Sequence, residues 1–342
     1  MTYRHKLWTG LILLGGIHTV ILLAGFVAPY HFATQYREFP FAPPTRLHFV
    51  DDQGRFHWRP FVYASPDSGS PDETQADGKH RYPVNFLVQG CAYKIGGIFP
   101  AHRHLFGVAE PAEIFLLGTD EYGRDQFSRF LYGGQISLLS GLLGASFSVL
   151  FGLAIGSIAG FYGRWIDDVL MRVVELFLAC PWLYLLFAVR AALPLHLPEW
   201  QVFTLLIAVL GLVGWARPAR LIRGVVLSAK ERNFVLACRG FGASNSYLLF
   251  RHILPQTYGV ALTQMTLLIP QYVLAEVTLS FLGLGVGEPM PSWGSLLSYL
   301  QQYYVLESYW WMFLPALLLV PTFLAYKAVS DALLERVGAV SL

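Results

Sequence analysis

Apolar residues run along this chain in long blocks broken by short polar stretches. Residues 7–29 contain no Asp, Glu, Lys or Arg and are long enough to cross a bilayer core. Further apolar blocks run over 136–163, 169–192 with Pro181 inside, 201–216, 257–284 with Pro270 and Glu276 inside, and 309–326. The pattern predicts an all-α polytopic membrane protein with six transmembrane helices. A cleaved signal peptide is the competing reading of the first block, but the run is longer than the usual apolar core of one and lacks a clear small-x-small cleavage site.

Residues 30–117 differ in character, with frequent Pro, Asp, Ser and Gly and only short apolar runs. They predict a small β-rich insertion between the first and second spans. Segments 45–50 and 55–63 flank Asp51-Asp52-Gln53-Gly54, and 82–88 and 91–95 flank Gln89-Gly90, each read as a hairpin. A disordered strip is expected near 65–80. His102 and His104 form an HxH, which reads as exposed polar histidines in the absence of supporting carboxylates or thiols. The chain thus divides into 1–29 (N-terminal tip and first helix), 30–117 (insertion) and 118–342 (helical core).

Gly118 to Asp125 precede the second block. Thr119 or Asp120 is expected to cap a helix starting near Gly123, and Arg124, Asp125, Gln126 and Arg129 alternate with Phe127, Phe130 and Leu131 as on an interfacial amphipathic helix. A direct substrate contact is the alternative. Further on, Gly144, Ser148, Gly152, Gly156 and Gly160 recur every four residues, a small-residue face for close helix approach that also suits sliding. Glu276, with Gly152 and Gly156, is the candidate for a substrate path, because a carboxylate inside a span marks a functional site by default. Arg172 and Glu175, three apart, can pair with each other.

Composition agrees with the membrane class: 55% of the 342 residues are hydrophobic and 13% charged. The net charge of +2 and the scattered Lys and Arg give no footprint for nucleic acid. Arg217, Arg220, Arg223, Lys230, Arg232, Arg239 and Arg251 lie between the fourth and fifth blocks, whereas 285–308 and 191–200 contain no Lys or Arg. The positive-inside rule therefore places the basic loop, and with six spans both termini, in the cytoplasm. Cys91, Cys180 and Cys238 then fall in different compartments, which predicts no disulfide, and they have no zinc-ligand spacing.

The basic loop, 223–255, predicts one helix over 223–239, a stop at Gly240 and Gly242, a short helix capped by Ser244 or Asn245, and a change of direction at Pro255. No HExxH, GxSxG or GxxxxGK[ST] occurs, so no catalytic residue, metal site or nucleotide site is expected in this chain.

The stretch FVLACRGFGASNSYLLFRHILPQ (234–256) resembles the cytoplasmic EAA loop of permease subunits of ABC importers. Ala237 matches the central Ala, Gly242 the Gly and Leu254-Pro255 the final pair, while Leu236, Cys238 and His252 replace the family's Glu, Ala and Ile. GTDEYGRDQFSRFLYGGQISL, WARPARLIRGVVLSAKERNFV and LAEVTLSFLGLGVGEPMPSWGSLL resemble, in order, the C-type permease of the peptide and nickel branch. The likeness covers 118 to the C-terminus and, loosely, the first span.

It implies the type I ABC importer permease fold in a bacterial cytoplasmic membrane. It also implies a second homologous permease, an external solute-binding protein, and two ATPases that bind ATP and Mg in place of this chain. Peptide import by alternating access is the expected function; nickel or a nickel chelate is the alternative solute, and a passive channel or membrane scaffold the alternative class. The ATPase-coupling residues implied are Leu236, Ala237, Cys238, Gly242, Ser244, Asn245, Tyr247, Leu248, Arg251, His252, Leu254 and Pro255.

Overall fold

The computed structural model describes residues 3–63, 80–95, 99–192 and 198–340. The strip expected to be disordered near 65–80 lies almost wholly outside them. Helices α1 (Tyr3–Leu22) and α2 (Ala24–Val27) are followed by strands β1 (His48–Val50), β2 (Phe56–Tyr63), β3 (Arg81–Pro83), β4 (Asn85–Ile95) and β5 (Phe99–Gly107). Then come α3 (Gln126–Tyr162), α4 (Arg164–Ala179), α5 (Trp182–Ala191), α6 (Glu199–Gly214), α7 (Ala216–Lys230), α8 (Asn233–Gly240) and α9 (Asn245–Tyr247). A π turn (Leu248–Ile253) leads into α10 (Leu254–Phe281), and α11 (Trp293–Ser298), α12 (Tyr303–Ser308) and α13 (Leu314–Val340) complete the chain.

Among the described residues four helices are long and apolar enough to cross a membrane, or five when α6 and α7, bent by 45°, count as one span. The block at 169–192 forms no single helix. Pro181 has no N–H to continue the ladder and forces the preceding residue out of helical geometry; Cys180 is extended at φ −82°, ψ 132°. Conversely, the expected interfacial helix and second span are one continuous helix, α3.

Two compact units are formed, one from Met1–Leu14, Leu138–Gly285 and Thr322–Leu342, the other from Gly15–Ser137 and Val286–Pro321. In the first unit the small-residue face of α3 lies on α7. A Cβ added to Gly152 would come 2.7 Å from Pro218 Cβ, and one added to Gly156 would collide with the backbone carbonyl of Ala219. Ser148 Oγ donates to Gly211 O at 3.1 Å and lies 2.7 Å from Tyr272 OH, tying α3 to α6 and α10 through satisfied buried polar groups.

In the second unit β1, β2 and β3 form one antiparallel sheet and β4 and β5 a separate hairpin. Asp51 organises the β1–β2 turn: its Oδ1 accepts the N–H groups of Gln53 and Arg55, and its Oδ2 accepts from Arg81 Nη1 at 2.6 Å and lies 3.0 Å from His57 Nε2. The bond from His57 and those from the backbone hold the Asp51 carboxyl down to about 2. Gln89-Gly90 is no turn but the middle of β4. Gly90 is there to admit a ring, since an added Cβ would meet His104 Cδ2 at 2.5 Å. His104 itself is buried, with Nδ1 2.6 Å from Ala28 O and Nε2 3.0 Å from Cys91 O, so the pair is not the exposed one expected from the HxH spacing; His102 alone is exposed.

The 118–129 segment also departs from its expected role. Asp125, not Thr119 or Asp120, caps α3, with Oδ2 accepting Ser128 N at 2.8 Å and Ser128 Oγ at 2.6 Å. Burial pushes this carboxyl up to about 7. Arg124, Asp125, Gln126 and Arg129 are all buried rather than spread over a membrane interface. Arg124 donates through Nε to Asp120 (2.7 Å) and through Nη1 to Glu288 (2.6 Å), and Arg129 Nη2 donates to Glu288 (2.8 Å). The network fastens the start of α3 to the loop before α11.

Two measurements test this packing. Gly156→Val should lower the melting temperature of the solubilised protein by several degrees, an overpacking cost of about 1–3 kcal/mol, whereas Gly224→Ala on the open side of α7, with nothing within 4 Å of the added carbon, should leave it unchanged or raise it. Because the folded Asp51 carboxyl titrates below its ordinary value, its contribution to the β1–β2 sheet is full above about pH 4 and is lost as the pH falls to about 2. Pepsin should therefore cut within 48–63 faster at pH 2 than at pH 4, after correction for its activity on a free peptide, and Asp51→Asn should abolish the difference.

Candidate functional site

The predicted loop is a built element whose two faces differ. The expected single helix over 223–239 is two, because Arg232 leaves helical geometry (φ −69°, ψ 140°) and lets Val235 turn inward. Val235, Leu248 and Ile253 join Ile222, Val226, Ala229 and Phe161 in one buried apolar cluster, flanked by Cys238, Ala243 and Leu249. The base of the element is held by polar contacts. Arg223 pairs both its Nε and Nη2 with the two oxygens of Asp167 on α4, and Lys230 Nζ donates to Gly160 O at 3.1 Å at the end of α3.

Gly242 has φ +83°, while Gly240 is the last residue of α8. The N–H of Ala243 bonds Cys238 O at 3.1 Å and that of Gly242 bonds Arg239 O at 3.0 Å, the paired 6→1 and 5→2 bonds of a Schellman C-cap with Gly242 at its left-handed position. The stop thus depends on Gly242 alone. Ser244, rather than Asn245, caps the next helix by accepting Tyr247 N at 3.3 Å.

Pro255 does not redirect the chain. Helix continues from Asn245 to Phe281, and the π turn just before Pro255 widens the ladder where the proline ring would otherwise meet the carbonyl of Arg251.

Several large apolar side chains of the same element are exposed. Phe241 is 93% exposed, Phe250 68% and Tyr247 52%, with Phe234 and Leu236 exposed beside them. Ala237, Ser244, Asn245, Arg251 and Pro255 also lie at the surface, whereas Cys238, His252 and Leu254 are half-buried and Leu248 belongs to the anchoring cluster. Cys238 Sγ is 3.8 Å from His252 Nε2, and the His252 ring packs edge-on against Phe234 and Tyr247. Sequence reasoning missed Phe234, Phe241 and Phe250. Their signal was the presence of phenylalanines inside the most basic stretch of the chain.

The three residues proposed for a substrate path each have a local packing role. Glu276 is buried in α10 and accepts a 2.6 Å hydrogen bond from Ser280 Oγ one turn on, and Gly152 and Gly156 are filled by α7. Arg172 and Glu175 do pair, at 3.1 Å on an exposed face. Among the described residues no group of three or more His, Cys, Asp or Glu side chains gathers to hold a metal ion.

Long apolar helices interrupted by one ordered helix–turn–helix define a multi-pass membrane protein. Residues 152–338 match the profile of the binding-protein-dependent transport system inner membrane component family, and the chain belongs to that family. It is 38% identical over 224 residues to the oligopeptide transport system permease protein OppC of Bacillus subtilis (strain 168), spanning 65% of this chain and 71% of that protein. To the dipeptide transport system permease protein DppC of the same organism it is 36% identical over 224 residues, spanning 65% and 68%. The chain is therefore an inner-membrane transport component.

The two glycines of the turn separate in a direct test. Gly242→Ala should destabilise the α8–α9 turn by about 1 kcal/mol, read as roughly fivefold faster amide exchange over 233–250, while Gly240→Ala, inside a helix, should slow exchange or leave it unchanged.

Proposed function

We propose that this chain is one of two permease subunits of an ATP-driven importer that carries peptides across a bacterial cytoplasmic membrane. Six spans of the type I permease fold, with α4 and α5 together serving as the third, put both termini and the basic loop on the cytoplasmic side. The exposed face of Phe241, Tyr247 and Phe250 seats in a groove of an ATPase subunit, which binds ATP and Mg in place of this chain. A binding protein delivers the peptide on the other side of the membrane. The permease names borne by the relatives support the solute class, and the resemblance of 234–256 to the EAA loop supports the division of labour.

The single observation that carries this reading is the two-faced loop. A loop with no partner gains nothing from a 93% exposed phenylalanine on a rigid Schellman turn. A loop that docks uses such aromatic side chains as the anchors of its interface. ATP-driven closure of the ATPase pair would move this element and, through the cluster beneath it, α7 and α10. Each nucleotide state must favour one of the two conformations for that motion to be driven.

Phe241→Ala should weaken association with the ATPase by about 10- to 100-fold, the loss of one interface anchor, and Gly242→Asp should abolish it while the protein stays inserted. Both are read by co-purification of ATPase activity with the permease and by peptide uptake in vesicles. Intact complexes with normal turnover from both variants would refute the docking assignment.

A further inference from the structure

A cavity of about 280 Å3 lies within the first unit, walled by α4, α5, α6, α7 and α10. The helix break lies in its wall: Pro181 ends the ladder, Cys180 is extended, and Cys180, Pro181 and Trp182 all line the space. Its wall is mostly apolar and aromatic, with Phe177, Trp182 and Tyr272, but Arg217 and Gln271 also face it.

These two polar side chains distinguish the cavity from a packing defect. Arg217, which is exposed at the mouth of the cavity, makes no ion pair or side-chain hydrogen bond among the described residues, nor does the half-buried Gln271 amide. The contrast with Arg223, two turns further along α7 and locked in a two-point ion pair with Asp167, is direct. Tyr272 offers its ring but not its hydroxyl, which is engaged with Ser148. An apolar cavity with a few unengaged polar groups is the usual form of a small-molecule site. Its free guanidinium suits a carboxylate, which it can bind through two parallel hydrogen bonds.

We propose that this cavity is a transient binding site for the carboxyl-terminal end of the peptide in transit, with Arg217 holding the carboxylate, Gln271 hydrogen-bonding the last peptide group and Phe177 and Trp182 flanking the final side chain. This rests on the peptide-import reading. The volume falls just below the roughly 300–1,000 Å3 of drug-sized ligand sites, so the site holds the end of a peptide rather than a whole long one. Selection here acts on the terminus that every linear peptide shares, which lets side chains vary.

Cys180 lines the same cavity and is a free, exposed thiol, while Cys91 and Cys238 lie elsewhere. In the reconstituted complex with its ATPase subunits, N-ethylmaleimide labelling of the three cysteines, resolved by mass spectrometry, reports occupancy directly. Saturating tri-alanine should slow labelling of Cys180 about tenfold without changing Cys91, and tri-alanine amide should protect about tenfold less well, the loss of one charge-assisted pair. Arg217→Gln should remove the difference between acid and amide, and Arg217→Lys should restore part of it. Equal protection by acid and amide, or none in a complex that imports tri-alanine, would overturn the carboxylate site while leaving peptide import standing. A complex that imports no peptide would overturn the import reading and this proposal with it.

Discussion

The packing of Val235, Leu248 and Ile253 onto Ile222, Val226 and Phe161 is the contact on which the rest of the structure depends. Each fully buried aliphatic or aromatic side chain of this kind is worth about 1.5–3 kcal/mol. Together they set a helix–turn–helix of otherwise modest local stability against α7 and the end of α3. Without this cluster the Schellman turn at Gly242 and the cap at Ser244 would shape a loop with nothing to push against. With it, the loop is packed as one body with α7 and the end of α3.

The helices around this cluster are themselves close-packed. The small face of α3 brings its backbone onto α7, with Gly152 against Pro218 and Gly156 against Ala219, and Ser148 joins α3 to α6 and α10 through Tyr272. Interfaces so tight shift between discrete arrangements rather than deform continuously. The break at Cys180-Pro181 is the contrasting feature, a place where the ladder is interrupted and a cavity persists. Rigidity and an opening therefore sit within one unit of the fold.

Much of this was legible in the sequence because the membrane and the turn impose simple rules. Long uncharged runs had to be helices, and the recurring Gly and Ser of α3 had to be an interface, since backbones approach only where side chains are small. Ser244 and Gly242 were readable because caps and left-handed turns need those residue types. The failures arise where long-range contacts decide. Gly90 resembled a turn residue but accommodates the ring of His104, which no local rule reveals. Arg124 and Arg129 resembled an interfacial pattern until Asp120 and Glu288, the latter more than 150 residues away, supplied their charges. Burial would raise the Glu288 carboxyl, yet Arg129 and Arg124 together hold it below its ordinary range. Helix 223–239 looked continuous because propensity alone gave no reason to break it; the break at Arg232 follows from the burial of Val235.

The central claim is that the outer face of this loop meets an ATPase while its inner face packs on α7 and the end of α3. Photocrosslinking from benzoylphenylalanine placed at Phe241 in the intact complex tests it most directly. The account predicts a single adduct with the ATPase subunit from position 241 and none from the same probe at Leu212 in α6, which is exposed but lies within a predicted span. Adducts at 241 only with lipid or with this chain itself, in a complex that still hydrolyses ATP and imports solute, would contradict it.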